Sequence, residues 1–307
     1  MSVREADVPV RTPYRLDLTA AVLRRLSTNA VDTFDGTTYR RLLGVPAAPT
    51  LLAVTQSAPG QLRVRLEGPQ ARALDPAAIV RRMLGTEVSL AAFDAGARRI
   101  PWLAPLAKAA RGVKPPRYPS LWETVVNAVV YQQVSIHAAG AILRRVVERY
   151  APLREVAGVA LRAFVPAETI LAAEPPELRA LGLSINKVLS LKAVARAILS
   201  GELDEPTLDR LSTPDLLAAL TAHKGIGPWT AAVIGLRGFA RLDLFPMNDS
   251  GAAAAFRRLS GDANLAPEPI LDALAPQQGM LYYHLLMDRL ADRGEIRLAG
   301  RTPVTSV

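Results

Sequence analysis

The stretch KGIGPWTAAVI, residues 224–234, constrains this chain more than any other. Two glycines flank one apolar residue and a proline follows at once. Its surroundings, TPDLLAALTAHKGIGPWTAAVIGLRGF, read as helix, tight turn, helix. Thr213 and Asp215 supply the start of the first helix. Gly225 and Gly227 permit backbone that a Cβ forbids, and Pro228 suits the first position of the second helix. The N–H groups at such a helix start carry a partial positive charge and hold a phosphate whatever the base. An ordinary αα-corner has the same local pattern, so the rest of the chain must decide.

The 307 residues are half hydrophobic, enough for two domains with their own cores. There is no cysteine, which excludes disulfides, thiolate metal sites and a thiol nucleophile. A net charge of +9 favours a polyanionic partner, although an Ala/Arg/Leu-rich composition also raises the arginine count. No long apolar run suggests a membrane span, and residues 1–18 lack the apolar core of a secretory signal. A cytoplasmic, nucleoid-associated protein is the expectation.

The organisation expected is α+β. Residues 1–95 form a small antiparallel sheet with helices: strands near 37–45, 49–56 and 61–68, helices near 16–27 and 75–85. Leu62, Val64 and Leu66 alternate with Arg63 and Arg65, the mark of a half-buried strand. Residues 96–117 are a basic, proline-rich connection. Residues 118–240 are all-helical and contain the helix–hairpin–helix at about 213–237, with Ser120 and Glu123 forming a capping box at the first helix. Residues 241–300 complete the helical part, and 301–307 are a loose tail.

Twenty residues past Trp229, the stretch LFPMNDSG puts Asp249 at the mouth of another helix. Helix N-capping is the common role of such a residue.

Taken together, the hairpin and LFPMNDSG resemble the helix–hairpin–helix DNA glycosylases, and three stretches narrow the resemblance to the 3-methyladenine DNA glycosylase II (AlkA-like) branch. These are WETVVNAVVYQQVSIHAAGAI (122–142), LAAEPPELRALGLSINKVLSLKAVARAILSGEL (171–203) with its LGLSINK run, and LFPMNDSG itself. The resemblance covers about 118–260. It implies a TBP-like N-terminal sheet ahead of the helical domains, and a monofunctional N-glycosylase that flips and hydrolytically excises alkylated bases from double-stranded DNA as a monomer.

Carried over by motif, Asp249 is the catalytic carboxylate. Trp229 stands where lyase-active members have a Schiff-base lysine, so no lyase step is expected. Gly225, Gly227 and Thr230 hold a DNA phosphate, and Gln133 fills the gap left by the flipped base. The carbonyls of Thr221, His223 and Ile226 hold a structural Na+ or K+, and catalysis needs no cofactor. The base pocket is expected from Trp229, Tyr131, Val233, Leu286 and Met287. This chain departs from the branch at Asn248, where an acid is usual, and at Val233, Leu286 and Met287, where aromatics are. A glycosylase for deaminated or oxidised bases, and a non-catalytic helix–hairpin–helix binding protein, are the alternatives.

Overall fold

The computed structural model describes residues 2–299, so the expected tail at 301–307 lies outside the described residues. The N-terminal sheet has five antiparallel strands, β1 (Ser2–Pro9), β2 (Thr33–Phe34), β3 (Thr38–Leu43), β4 (Thr50–Ala58) and β5 (Gln61–Gly68), in the order β1-β5-β4-β3-β2. Leu62, Val64 and Leu66 point into the core and Arg63 and Arg65 into solvent, as the alternation requires. Strand β1 has no such apolar alternation. It pairs along β5 with cross-strand ion pairs, Arg65 to Glu5 at 2.6 Å and Arg63 to Asp7 at 3.2 Å. Charge complementarity on an exposed face supplies the signal that apolar period lacks.

Helices α1 (Leu16–Arg24) and α2 (Pro76–Leu84) cover the inner face of the sheet. Asp75 caps α2 by accepting from the Ala77 N–H. Helix α1 serves two cores. Leu16, Ala20 and Leu23 pack under the sheet, while Leu18 and Val22 pack into the C-terminal helices.

The stretch 96–117, expected as a connection, is partly helical. Helices α3 (Ala91–Ala97) and α4 (Ala104–Ala109) lie across it. Phe93, Ile100, Leu103 and Leu106 pack against the C-terminal part of the chain. Proline and positive charge on the exposed side masked short helices whose buried faces are complete.

The helical middle contains α5 (Leu121–Val130), α6 (Ile136–Tyr150), the strands β6 (Leu153–Val156) and β7 (Val159–Arg162), then α7 (Ala167–Ala172), α8 (Pro175–Ala180), α9 (Ile185–Leu199), α10 (Glu205–Asp209), α11 (Thr213–Thr221) and α12 (Pro228–Phe239). The expectation of helices alone fails at β6–β7, a hairpin turning at Ala157-Gly158. Its Val156 and Leu161 cover Leu42 and Leu51 on the outer face of the sheet. The expected capping box at α5 is half formed. Ser120 Oγ accepts from the Glu123 N–H at 3.2 Å, but the Glu123 carboxylate turns away to Arg41 at 2.8 Å.

Helices α13 (Ser250–Ser260), α14 (Glu268–Leu274) and α15 (Gly279–Asp292) close the chain and share a core with α3 and α4. The cleft described next runs between this core and that of the helical middle.

Candidate active site

The hairpin is built as two different glycines demand. Helix α11 begins at Thr213, as expected, and is capped by Ser212, whose Oγ accepts from the Asp215 N–H. It ends at Thr221, and α12 begins at Pro228. Gly225 has φ +90°, and a Cβ there would stand 1.9 Å from Ser190 Oγ on α9. Both backbone and packing require glycine. Gly227 has φ −85° and ψ 177°, open to any residue, and a Cβ would meet nothing within 4 Å. No contact among the described residues requires glycine at 227, which corrects the conformational argument for it. A Cβ would instead project into the cleft, at the start of α12. The first N–H of α12 to find a helical carbonyl is that of Ala231, on Gly227 at 2.9 Å. Those of Trp229 and Thr230 precede it, at the positive end of the helix.

Gln132, at the end of α5, ties the hairpin down. Its Nε2 donates to the Gly225 carbonyl at 3.1 Å and to Thr230 Oγ1 at 2.7 Å. Lys187 fixes Gln132 in turn: its Nζ donates to the carbonyls of Val130 at 2.9 Å and Gln132 at 2.8 Å. Burial lowers the Lys187 pKa. Gln133, next along, is exposed and held at φ +53°. This strained backbone presents its side chain at the turn into α6.

Asp249 combines both roles its position allowed. Its Oδ1 accepts from the Ala252 N–H at 2.8 Å, capping α13, and its Oδ2 accepts from Trp229 Nε1 at 3.2 Å. The carboxylate therefore sits on the positive end of α13 with both oxygens oriented. Asn248 before it has φ +63°, a conformation Asn adopts more readily than most side chains.

Asp249 opens on a cleft of about 1020 Å³ whose walls include Tyr131, Gln133, Thr230, Tyr282 and Leu286. Two expected pocket residues are not there. Val233 is 2% exposed in the core of the helical middle, and Met287 is fully buried in the C-terminal core. The register of α15 explains the second error. Residues 282, 286 and 289 share one helical face, so Tyr282, Leu286 and Arg289 meet the cleft and Met287 points away. Burial pushes the Tyr282 hydroxyl pKa up, and Asp249 adds to the shift. Burial lowers the Arg289 pKa, with Asp249 opposing the shift. A Cβ on Gly251 would stand 1.9 Å from Arg289 Nη1, so that guanidinium lies against the first turn of α13. Arg25, from the end of α1, completes the wall, with its guanidinium carbon 3.8 Å from the Tyr131 ring centroid.

Sequence reasoning missed Gln132, Lys187, Arg25, Tyr282 and Arg289. The spacing 282-286-289 was readable once one member was known, and Lys187 ends the LGLSINK run. Arg25 had no signal, being more than 200 residues from Asp249.

The proposed cation ligands Thr221, His223 and Ile226 bracket the turn. The His223 carbonyl already accepts from the Ile226 N–H at 3.1 Å. The His223 ring lies to one side, 3.9 Å from Glu202. A set of neutral carbonyls at a helix C-terminus fits a hard monovalent cation.

This hairpin, with its downstream carboxylate on a helix cap, defines a helix–hairpin–helix protein. Residues 126–274 match the HhH-GPD superfamily base excision DNA repair protein and residues 5–121 the AlkA N-terminal domain, so the chain belongs to the AlkA-like branch of that superfamily. It is 30% identical over 261 residues to the probable bifunctional transcriptional activator/DNA repair enzyme AlkA of Mycobacterium tuberculosis, covering 82% of this chain and 50% of that protein. It is 27% identical over 185 residues to the DNA-3-methyladenine glycosylase of Bacillus subtilis, covering 60% of each. The chain thus spans about half the length of the relatives it matches. The 3-methyladenine DNA glycosylase of Archaeoglobus fulgidus superposes over 92% of this chain and 98% of its own with a TM-score of 0.76; at 21% identity this shows a shared fold.

Proposed function

We propose that this protein is a monofunctional DNA glycosylase that removes alkylated bases from duplex DNA in base excision repair. The observation that carries the reading is Asp249. It is oriented by Trp229 and the α13 backbone, and it faces a cleft whose rim is the phosphate-binding hairpin. A mere helix cap has no need of that cleft.

The hairpin N–H groups of α12 hold a backbone phosphate, and Gln133 fills the space a flipped nucleotide leaves. The extruded base enters between Tyr131, Trp229 and Tyr282. As the glycosidic bond breaks, positive charge grows on the sugar, and the Asp249 carboxylate stabilises it and orients the attacking water. The products are the free base and an abasic site. Among the described residues no amine is poised for a lyase step. Position 229 is Trp, and the cleft lysine, Lys187, is engaged by two carbonyls. The carbonyls of Thr221, His223 and Ile226 would hold Na+ or K+, which stiffens the turn and takes no part in the reaction. The protein acts as a monomer on chromosomal DNA.

The test compares wild type with Asp249→Asn on methylated duplex DNA, measuring released base by chromatography. The expected outcome is 3-methyladenine release by wild type and a roughly 10³-fold slower rate in the variant, with DNA affinity retained. Equal release by both proteins would reduce Asp249 to a helix cap.

A further inference from the structure

A second cavity, of about 270 Å³, is lined by segments 11–13, 89–98 and 110–114 and by His284. Residue 284 falls about 200° around α15 from residue 282, away from the side that meets the cleft. The helix therefore stands between the two cavities. Hydrogen bonds hold the walls of the second one. The Arg11 N–H donates to the Thr86 carbonyl at 2.7 Å, and the Arg15 N–H donates to that of Gly112 at 2.7 Å. Gly112 permits the second contact at φ +96°, where a Cβ would stand 3.0 Å from Arg15 Cγ. The Lys114 N–H donates to Thr19 Oγ1 at 3.1 Å. The cavity is thus shaped before anything enters it.

Its charge is one-sided. Arg11, Arg98, Arg111 and Lys114 line it against a single carboxylate, Asp94. Among the described residues none of these four cations forms an ion pair. The three arginines are exposed, and an exposed arginine alone is a solvated charge. Lys114 is different. It is 2% exposed, and its ammonium donates to one protein acceptor, the Val88 carbonyl at 2.8 Å. An ammonium carries three donors, so two are left for a ligand. Burial lowers the Lys114 pKa; Asp94 opposes that shift and Arg11 adds to it. Gathering like charges costs the fold energy. A concave wall of one sign focuses a field on whatever enters. Guanidinium forks around an ammonium match an oxyanion with several acceptor atoms, and phosphate is the common one.

We propose that this cavity is a second phosphate-binding site, separated by α15 from the hairpin: Lys114 holds the phosphate from the buried side, and Arg11, Arg98 and Arg111 hold it from the exposed side. The volume takes a phosphate with a small appendage. Two sources supply that chemistry, a small phosphate compound and a backbone phosphate of a bound duplex beyond the cleft. The inference does not depend on the glycosylase reading.

The probe is inorganic pyrophosphate, titrated calorimetrically into the full chain without DNA. Wild type is compared with Asp94→Asn and with the double variant Arg98→Ala/Arg111→Ala, and a thermal melt confirms that each folds. Wild type is expected to bind saturably. The double variant should bind at least about tenfold more weakly, the ratio that lost charged hydrogen bonds supply. Asp94→Asn should bind more tightly, a gain that a folding defect would not produce. Repeating the titration with saturating duplex separates the sources. Unchanged pyrophosphate affinity assigns the site to a small phosphate compound. Displacement of the arginine-dependent binding, with a DNA salt slope lower by about 1 to 2 in the double variant, assigns it to the DNA backbone. Pyrophosphate binding that is absent, or equal in all three proteins, together with an unchanged DNA salt slope, overturns the proposal and leaves the arginines solvated charges. Every readout is binding, so failure of the glycosylase reading would show separately, as absent base release.

Discussion

Arg41 and Arg25 are both buried arginines that the N-terminal domain lends to its junction with the helical middle, and they are partnered in opposite ways. Arg41 is 1% exposed and lies 3.0 Å from Asp32 and 2.8 Å from Glu123, two carboxylates as buried as itself. Tyr39 donates to Asp32 at 2.5 Å. This network locks β3 to the first turn of α5, and the fold explains every charge in it. Arg25 reaches the same junction, meets a tyrosine face and no carboxylate. One charge serves the protein alone. The other lies over the Tyr131 ring in the cleft wall. The same contrast recurs between Gly225, which Ser190 and a positive φ require, and Gly227, which nothing among the described residues requires.

Four measurements would break or sharpen that contrast. The largest effect is expected at the locked junction. Arg41→Met leaves Asp32 and Glu123 buried without their counter-ion and should cost about 3–5 kcal/mol in urea unfolding. Arg25→Met, leaving no orphaned carboxylate, should cost far less. A greater loss from the Arg25 variant would reverse the comparison.

A second test uses the buried side of α15. His284 stacks on Phe93 at 4.5 Å between centroids, and its Nδ1 lies 2.8 Å from the Met280 carbonyl. Burial lowers its pKa from 6.5 to about 4. On acidification the unfolded chain takes up this proton first, so stability is intact above pH 6.5 and is lost as pH falls toward 4. The loss is on the order of 3 kcal/mol. His284→Leu should flatten that part of the stability profile; an unchanged slope would show that His284 is not its source.

Gly225→Ala should lose about 1–3 kcal/mol of stability, because φ +90° and Ser190 both oppose it, and should weaken DNA binding too. The smallest stability effect belongs to Gly227→Ala, within about 0.5 kcal/mol of wild type. Its DNA affinity, followed by fluorescence anisotropy, should nevertheless fall. Unchanged affinity in Gly227→Ala would mean that the helix start does not approach a backbone phosphate.

Local patterns were legible without coordinates. The alternation of Leu62, Val64 and Leu66 located a strand, glycine and proline punctuation located the hairpin, and LFPMNDSG located a capped helix with its carboxylate. The misses have physical causes. Strand β1 is specified by cross-strand charge pairs, which are invisible until the partner strand is known. Helices α3 and α4 were hidden by exposed basic residues and prolines, although their buried faces fill the C-terminal core. Val233 and Met287 were placed in the pocket because side-chain type was read without knowing which helix face turns inward.

The sequence by itself determined the family, the hairpin and Asp249, because each depends on residues close together in the chain whose backbone preferences and motif spacing are local. Tertiary structure alone decided who joins them. Trp229 reaches Asp249 across twenty residues, Gln132 braces Gly225 across ninety-three, and Arg25 arrives from the opposite end of the chain. Packing of three separate cores against one another sets those meetings. No local propensity encodes the space that is left between them.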